Sequence, residues 1–171
     1  KTTGVITGSV VDTSANCALL TGTNNAWAVA PSDAPSIAQL TAIDAATTGV
    51  ITYSTVADTA ANLVTNAGHY VTGSKAVTFT DAPTIAQLST VDGYTTGALT
   101  AATISDSAAN LAADAALNSG NGFYVSAAGV TGVTVTGAAT LAQLRNIDAA
   151  TTATLSYTSI SDTAAQWLAY R

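Results

Sequence analysis

The sequence predicts an α/β fold, a solenoid of about seven strand–helix coils with a parallel sheet on one face and short helices on the other. Two observations predict it. Two short motifs recur along the chain in alternation, and most copies follow a short segment rich in β-branched residues. A repeat of this length buries its apolar face only against its neighbours, so stacked copies form a continuous core.

The first motif, called the A motif, reads Asp-Thr/Ser-Ala/Ser-Ala-Asn/Gln. Its successive Asp residues are 46, 48 and 56 positions apart. The copies are Asp12–Asn16, Asp58–Asn62, Asp106–Asn110 and Asp162–Gln166. Four ordered copies indicate duplication of one structural element rather than chance similarity.

The second motif, called the B motif, begins with Ile/Leu-Ala-Gln-Leu, ends with Asp and lies between successive A motifs. Its copies are 48 and 56 positions apart, and each precedes a Thr-Thr-Gly or Thr-Thr-Ala tail. They are Ile37–Asp44, Ile85–Asp92 and Leu141–Asp148. We therefore predict a single solenoid domain over residues 1–171, with larger repeats at 1–49, 50–97 and 98–153 and a partial one at 154–171.

The segments before the motifs predict parallel strands. Ile51–Val56 precedes Asp58, and Val77–Thr80 precedes Asp81; both alternate and are rich in β-branched or aromatic residues. Strands joined through a helix are expected to pair in parallel. Each elementary coil of about 24 residues should then add one strand to the sheet.

The motifs themselves predict short helices. Asp directly before an alanine-rich segment is an N-cap signal, because its carboxylate accepts backbone N–H bonds of the first turn. Ile85, Leu88 and Val91 recur every three residues and predict one buried stripe. Proline is expected at the helix start and glycine at the helix end. The residues concerned are Pro35, Pro83, Gly49 and Gly97.

The composition excludes several classes of function. Charged residues make up 8% of the chain, four of them are Lys or Arg, and the net charge is −6. So few cations cannot form a phosphate-binding surface, and we expect no nucleic-acid partner. No apolar run approaches the roughly 20 residues that span a bilayer, so we expect no membrane insertion.

The sequence does not predict an enzyme. His69 is the single histidine, Glu is missing, and no Gly-x-Ser-x-Gly motif is present, so no catalytic or cofactor-binding arrangement is indicated. Cys17 aligns with Leu63, Leu111 and Trp167, which predicts a small buried hydrophobic residue.

The repeated aspartates allow two interpretations. Capping and turn formation explain their spacing. The alternative is a ladder of calcium ions, because Ca²⁺ binds clustered carboxylate oxygens. The candidate ligands for that alternative are Asp44, Asp92 and Asp148.

Both ends of the chain carry an A motif without an obvious polar cap. A terminal coil without a cap exposes apolar core and a strand edge, which favours stacking on a neighbour. We therefore predict end-to-end assembly with copies of the chain or with further repeats. The residues expected to contribute are Val5, Ile6, Trp167, Leu168 and Tyr170.

The motifs Asp-Thr-Ala-Ala-Asn-Leu and Ile-Ala-Gln-Leu with a Thr-Thr-Gly tail resemble the repeats of large secreted and surface proteins of bacteria, frequent in cyanobacteria and proteobacteria. The resemblance covers nearly the whole chain. It implies an extracellular or cell-surface location and a structural role in a filament, sheath or surface layer. The alternative is an adhesin module that binds glycan, for which the candidate aromatic residues are Trp27, Tyr70, Phe123 and Tyr124.

Overall fold

The computed structural model describes residues 5–22, 25–117 and 124–169, in which strands and helices alternate. The strands are β1 (Thr7–Asp12), β2 (Ala26–Pro31), β3 (Thr55–Asp58), β4 (Ala76–Phe79), β5 (Leu99–Thr100), β6 (Thr103–Ser107), β7 (Gly132–Ala139) and β8 (Thr154–Ile160). The helices are α1 (Ser14–Cys17), α2 (Ile37–Ala46), α3 (Ala60–Thr65), α4 (Ile85–Asp92), α5 (Ala108–Leu117), α6 (Leu141–Ala150) and α7 (Ala164–Leu168). A short 3₁₀ turn, Tyr124–Ser126, lies before β7. The predicted α/β class is confirmed.

Each motif lies on a strand–helix pair. The pairs that carry the A motif, called A repeats below, are β1–α1, β3–α3, β6–α5 and β8–α7. The pairs that carry the B motif, called B repeats, are β2–α2, β4–α4 and β7–α6. The two kinds alternate along the chain.

The strands pair in parallel, as predicted, but they form three small sheets rather than one continuous sheet. The strand orders are β1-β2, β3-β4-β5 and β6-β7-β8. After β2 the pairing shrinks to an isolated parallel bridge between Val29 and Ile51, so the ladder is too short there to join β2 to a longer strand. Register is kept between β3 and β4, where Val56 lies opposite Val77, whereas the pairing of β7 with β8 shifts in register between Val135 and Ala138.

The chain divides into two compact units. One contains Lys1–Thr80 and Thr90–Leu99, and the other contains Asp81–Ser89 and Thr100–Arg171. In the first, α1 lies against α2, and in the second, α5 lies against α6.

Apolar side chains at strand and helix positions of the expected period fill each core. Val56, Leu63 and Val77 are fully buried in the first unit, and Leu111 is fully buried in the second, where Ile104 is 1% exposed. Burying a side chain of this size contributes roughly 1.5–3 kcal/mol. The predicted stripe on α4 is confirmed at Leu88 and Val91, which are buried.

The helices begin later than predicted, by one residue at α3 and by three residues at α2, where Ser36 and not Asp33 is the N-cap. The N-cap of α3 is Thr59 rather than Asp58: its backbone is extended, and its hydroxyl accepts the N–H of Asn62. The B repeats use a capping box instead, in which Ser36 and Gln39 exchange backbone bonds before α2. Pro35 lies directly before the N-cap of α2 and therefore outside the helix, not in its first turn as predicted. Its carbonyl oxygen accepts the N–H of Ala57.

The glycines of the tails do not cap the helices, so that prediction is wrong. The helix α2 ends at Ala46, and its C-cap Thr47 has extended backbone. Gly49 passes so close to an earlier strand that an added Cβ would lie 2.1 Å from the carbonyl oxygen of Trp27. Gly97 lies in the same way against Lys75. Close approach, and not a left-handed conformation, requires glycine here.

Candidate assembly interface

Aspartates of the A motifs join successive repeats through an arrangement called the Asp clamp below. The Oδ1 atom of Asp58 accepts the backbone N–H of Thr59 and the side-chain N–H of Asn62, both at 2.8 Å. Its Oδ2 atom accepts the N–H of Ile37, the first residue of the preceding helix, at 2.9 Å. One carboxylate thus serves the helix starts of two neighbouring repeats.

The same clamp recurs in the second compact unit. Asp106 accepts the N–H of Ile85 at 2.9 Å, and Asp162 accepts the N–H of Leu141 at 3.0 Å. A B-repeat aspartate acts likewise on an A-repeat helix, because Asp33 accepts the N–H of Ser14 at 2.6 Å. Aspartate is therefore used at both kinds of junction.

The first A repeat makes only the local half of the clamp among its described bonds. Oδ1 of Asp12 accepts the side-chain N–H of Asn16 at 2.9 Å and the backbone N–H of Thr13 at 2.7 Å. The bond from Asn16, followed by that from Thr13, holds the pKa of Asp12 below its ordinary value. The side chain is otherwise exposed.

The tails after α2 and α4 form a second contact between repeats, called the Thr clasp. The hydroxyl of Thr47 lies 2.8 Å from the carbonyl oxygen of Trp27 and 3.2 Å from that of Asn25. The same oxygen accepts the N–H of Gly49 at 2.9 Å. Thr95 and Gly97 repeat the arrangement on Gly73 and Lys75.

The repeat β8–α7 exposes the Trp167 position, which the other A repeats bury. Trp167 is 46% exposed, whereas Leu63 at the corresponding position of α3 is 0% exposed. Leu168 and Tyr157 are 66% and 49% exposed. An open groove of about 360 Å³ lies here, lined by Leu141, Leu144, Arg145, Asp148, Leu155, Tyr157, Ile160 and Trp167. This groove and the exposed residues form the surface that we call the β8–α7 surface.

The other predicted assembly residues are placed as follows. Val5 and Ile6, just before β1, are both exposed, as is Val11 on that strand. Tyr170 lies outside the described residues, as do Phe123 and residues 118–122 before it. Exposed apolar side chains thus lie beside the first strand of one unit and the last strand of the other.

The residues considered for other chemistry have ordinary surroundings. Cys17 is buried as predicted, and burial raises the pKa of its thiol, which disfavours the reactive thiolate. His69 is exposed in a loop at a positive φ of 57°.

The candidate calcium ligands Asp44, Asp92 and Asp148 lie on the exposed sides of three different helices. In the part of the chain that the structure describes, no three His, Cys, Asp or Glu side chains lie close enough to hold a metal ion. No described helix is long and apolar enough to cross a membrane.

The aromatic residues proposed for glycan binding are half-buried where they are described, as for Trp27 and Tyr70. A polar cleft of about 490 Å³ lies nearby, lined by residues 31–34 and 52–55. Its aromatic residue is Tyr53, whose hydroxyl donates to the carbonyl oxygen of Tyr70 at 2.9 Å. The ammonium group of Lys75 lies 4.9 Å from the centroid of the Tyr53 ring.

Sequence reasoning missed Asp114, a buried carboxylate on α5. Its Oδ2 atom accepts the backbone N–H of the buried Val125, which lies 11 residues further along the chain, at 3.0 Å. Burial raises the pKa of Asp114, and the bonds from Val125 and Tyr124 oppose this rise. The sequence signal that could have found it is the alignment of Asp114 with Asn66, the C-cap of α3, whose side chain bonds both backbone groups of Val71.

Comparison with known proteins gives no relative: no family model, no curated protein and no solved structure matches the chain.

Proposed function

We propose that this chain is a structural repeat protein whose strand–helix pairs are the coils of a solenoid of about seven coils. It assembles end to end, with copies of itself or with further repeats, into an extracellular filament, sheath or surface layer. The observation that carries the proposal is the exposure of Trp167, Leu168 and Tyr157 on an A repeat, at a place where the sister residue Leu63 is fully buried.

The β8–α7 surface has the properties of an interface that a further repeat covers. A contiguous exposed apolar patch with a polar rim marks an interaction site, and here Arg145 and Asp148 lie beside the apolar residues. The strand β8 pairs with β7 on one side, and the backbone groups of an edge strand template the addition of another strand. Apolar area covered on assembly contributes about 25 cal/mol per Å² before the entropy of association is subtracted.

The surface location rests on composition and on the resemblance of the motifs. Uncharged Ala, Thr, Ser and Gly dominate, and charged residues make up 8% of the chain. The Asp clamp and the Thr clasp use backbone groups and short side chains, so the contacts between repeats need neither a disulfide nor a cofactor. We propose that the chain is not an enzyme.

The direct test measures self-association of the purified chain by sedimentation velocity over a concentration series, with electron microscopy at neutral pH with and without calcium. Concentration-dependent oligomers or filaments are expected. The double variant Trp167→Ser/Leu168→Ser should weaken association at least tenfold, because truncating a central Trp removes much of an interface's binding energy. The matched control is Val50→Ser, which removes an exposed apolar side chain elsewhere.

Two outcomes contradict the proposal. One is a wild-type chain that stays monomeric and monodisperse at every concentration in both conditions. The other is a double variant that associates as strongly as the wild type and the Val50→Ser control.

A second candidate function is a glycan-binding adhesin module, favoured by the polar cleft at residues 31–34 and 52–55. The cleft places hydroxyl groups and the Asp33 carboxylate beside the Tyr53 ring, so one ligand could meet both polar and aromatic groups there. Saturable binding of a neutral oligosaccharide that Tyr53→Ala abolishes and Tyr157→Ala leaves intact would support this function.

A further inference from the structure

Building on the assembly function proposed above, we infer that the β8–α7 surface is a docking site for a B repeat, and not for a second A repeat. The partner is therefore a strand–helix repeat that carries the Ile/Leu-Ala-Gln-Leu motif. The contacts that covered A repeats of this same chain make with their neighbours identify it.

The strand pairing alternates between the two kinds of repeat. The A strands β1, β3 and β6 pair in parallel with the B strands β2, β4 and β7 that follow them. The strand β8 belongs to an A repeat and pairs with the B strand β7 that precedes it. Its remaining edge is the one at which the other A repeats receive a B strand.

The tyrosine on β8 has a covered counterpart. Tyr157 corresponds to Tyr53, four residues after the tail glycine or alanine in each case. The hydroxyl of Tyr53 donates to the carbonyl oxygen of Tyr70 at 2.9 Å, and the ammonium of Lys75 lies over its ring. Tyr70 and Lys75 belong to the segment that leads into β4, so a B repeat provides this cover.

The start of α7 also fits a docked B repeat. The first N–H of α1, that of Ser14, donates to Asp33, which lies after β2 in the following B repeat. The corresponding residue of α7 is Ala164. A docked B repeat brings an aspartate to this position together with apolar residues that cover Trp167.

The side of an A repeat that faces the preceding B repeat makes a different contact, the Thr clasp. Its incoming tail bonds the carbonyl groups of Asn25 and Trp27 through Thr47, and both carbonyls belong to a B repeat. The segment Thr2–Ile6 has the same sequence as Thr47–Ile51, so the β1 repeat carries the tail that fits a B repeat. The A repeats at β1 and at β8 thus both match a B repeat better than they match each other, and we expect the unextended chain to associate weakly.

The inference predicts a difference between two extended chains. The B-extended chain carries a copy of residues 68–97 after Arg171, which keeps the register because Arg171 aligns with Ala67. The A-extended chain carries a copy of residues 46–67 at the same place. Both contain Trp27→Phe, so that Trp167 is the only tryptophan and iodide quenching reports its exposure.

In the B-extended chain we expect quenching of Trp167 to fall at least threefold, towards that of a buried residue. This chain begins with an A repeat and ends with a B repeat, so its copies should also join head to tail into filaments at concentrations where the unextended chain associates weakly. In the A-extended chain we expect quenching and association to remain those of the unextended chain.

The hydroxyl of Tyr157 provides an independent measurement. The variant Tyr157→Phe should lower the equilibrium constant for folding of the B-extended chain about 3- to 10-fold, because a typical hydrogen bond contributes about this much. The same substitution should leave the unextended chain unchanged, since the hydroxyl is not covered there.

The outcomes separate the two levels of proposal. Equal protection of Trp167 by both extensions, or an equal effect of Tyr157→Phe with and without the B extension, overturns the preference for a B repeat while the assembly function stands. No protection by either extension, together with a Trp167→Ser/Leu168→Ser variant that associates like wild type, overturns both.

Discussion

Ile37 and Asp58 are joined across two successive repeats, because the first backbone N–H of α2 donates to Oδ2 of Asp58 at 2.9 Å. The other oxygen of this carboxylate serves the helix that follows Asp58 itself. The junction between repeats is therefore built at the helix starts as well as in the sheet and the core.

Removing this clamp should destabilise the fold. Asp58→Ala deletes the acceptor of three hydrogen bonds and leaves the N–H of the buried Ile37 unpaired, which we expect to cost about 3 kcal/mol in the free energy of unfolding. Urea denaturation followed by circular dichroism measures the change. The control is Asp12→Ala, which removes the same local bonds at an exposed site and should cost clearly less. Equal losses at the two sites would contradict the clamp.

A methyl group should not be tolerated at the tail glycine. Gly49→Ala places a Cβ 2.1 Å from the carbonyl oxygen of Trp27, so the backbone has to move. We expect a loss of about 2 kcal/mol, within the range for overpacking. Gly8→Ala is the matched control, because its Cβ would lie 3.9 Å from the Trp27 side chain, an ordinary contact. Thermal unfolding of both variants decides whether close approach explains the glycine.

The hydroxyl of the Thr clasp should matter more than its methyl group. Thr47→Val keeps the shape but loses the bonds to Asn25, Trp27 and Gly49, and we expect it to cost about 1–3 kcal/mol. Thr47→Ser keeps the hydroxyl and should cost less than about 1 kcal/mol. A serine variant as unstable as the valine variant would assign the effect to packing.

Asp114 should make stability depend on pH in an uncommon direction for a carboxylate. Its pKa in the folded chain is raised above the ordinary value of 3.8 by burial, so the folded state binds more protons than the unfolded state in that window. Its contribution to stability is therefore lost as the pH rises through the raised pKa, and regained on acidification.

Asp114→Asn removes this titration while keeping an oxygen that can accept the N–H of Val125. We expect the variant to be more stable than the wild type at pH 7 and within about 0.5 kcal/mol of it near pH 3.5. Urea titrations at several pH values measure the difference, and a difference that does not change with pH would contradict burial of the charged form.

The local elements could be predicted from the sequence, whereas the contacts between repeats could not. The alternation in Thr55–Asp58 and the spacing of Leu88 and Val91 are local patterns, and both elements are present. The bond from Ile37 to Asp58 spans 21 residues, and a cap signal reveals only that a helix begins near the aspartate. The same limit applies to Gly49, whose glycine signal is local but whose cause is the distant carbonyl group of Trp27.

The candidate site was predictable to the same degree. The expected end position of Trp167 followed from alignment with Cys17 and Leu63, and its exposure is observed. The proposal that a B repeat covers Trp167 rests on the bond from Tyr53 to Tyr70, which no sequence motif indicates.

The donors of the Asp clamp are backbone and amide N–H groups rather than cations. The hydrogen bonds of such a carboxylate should persist at high ionic strength, because interactions in partly buried sites are screened much less than exposed ion pairs. With four basic residues, the chain can form few ion pairs that salt would weaken. Its repeats should therefore hold together almost equally well in dilute buffer and in concentrated salt, as the extracellular assembly proposed above would require.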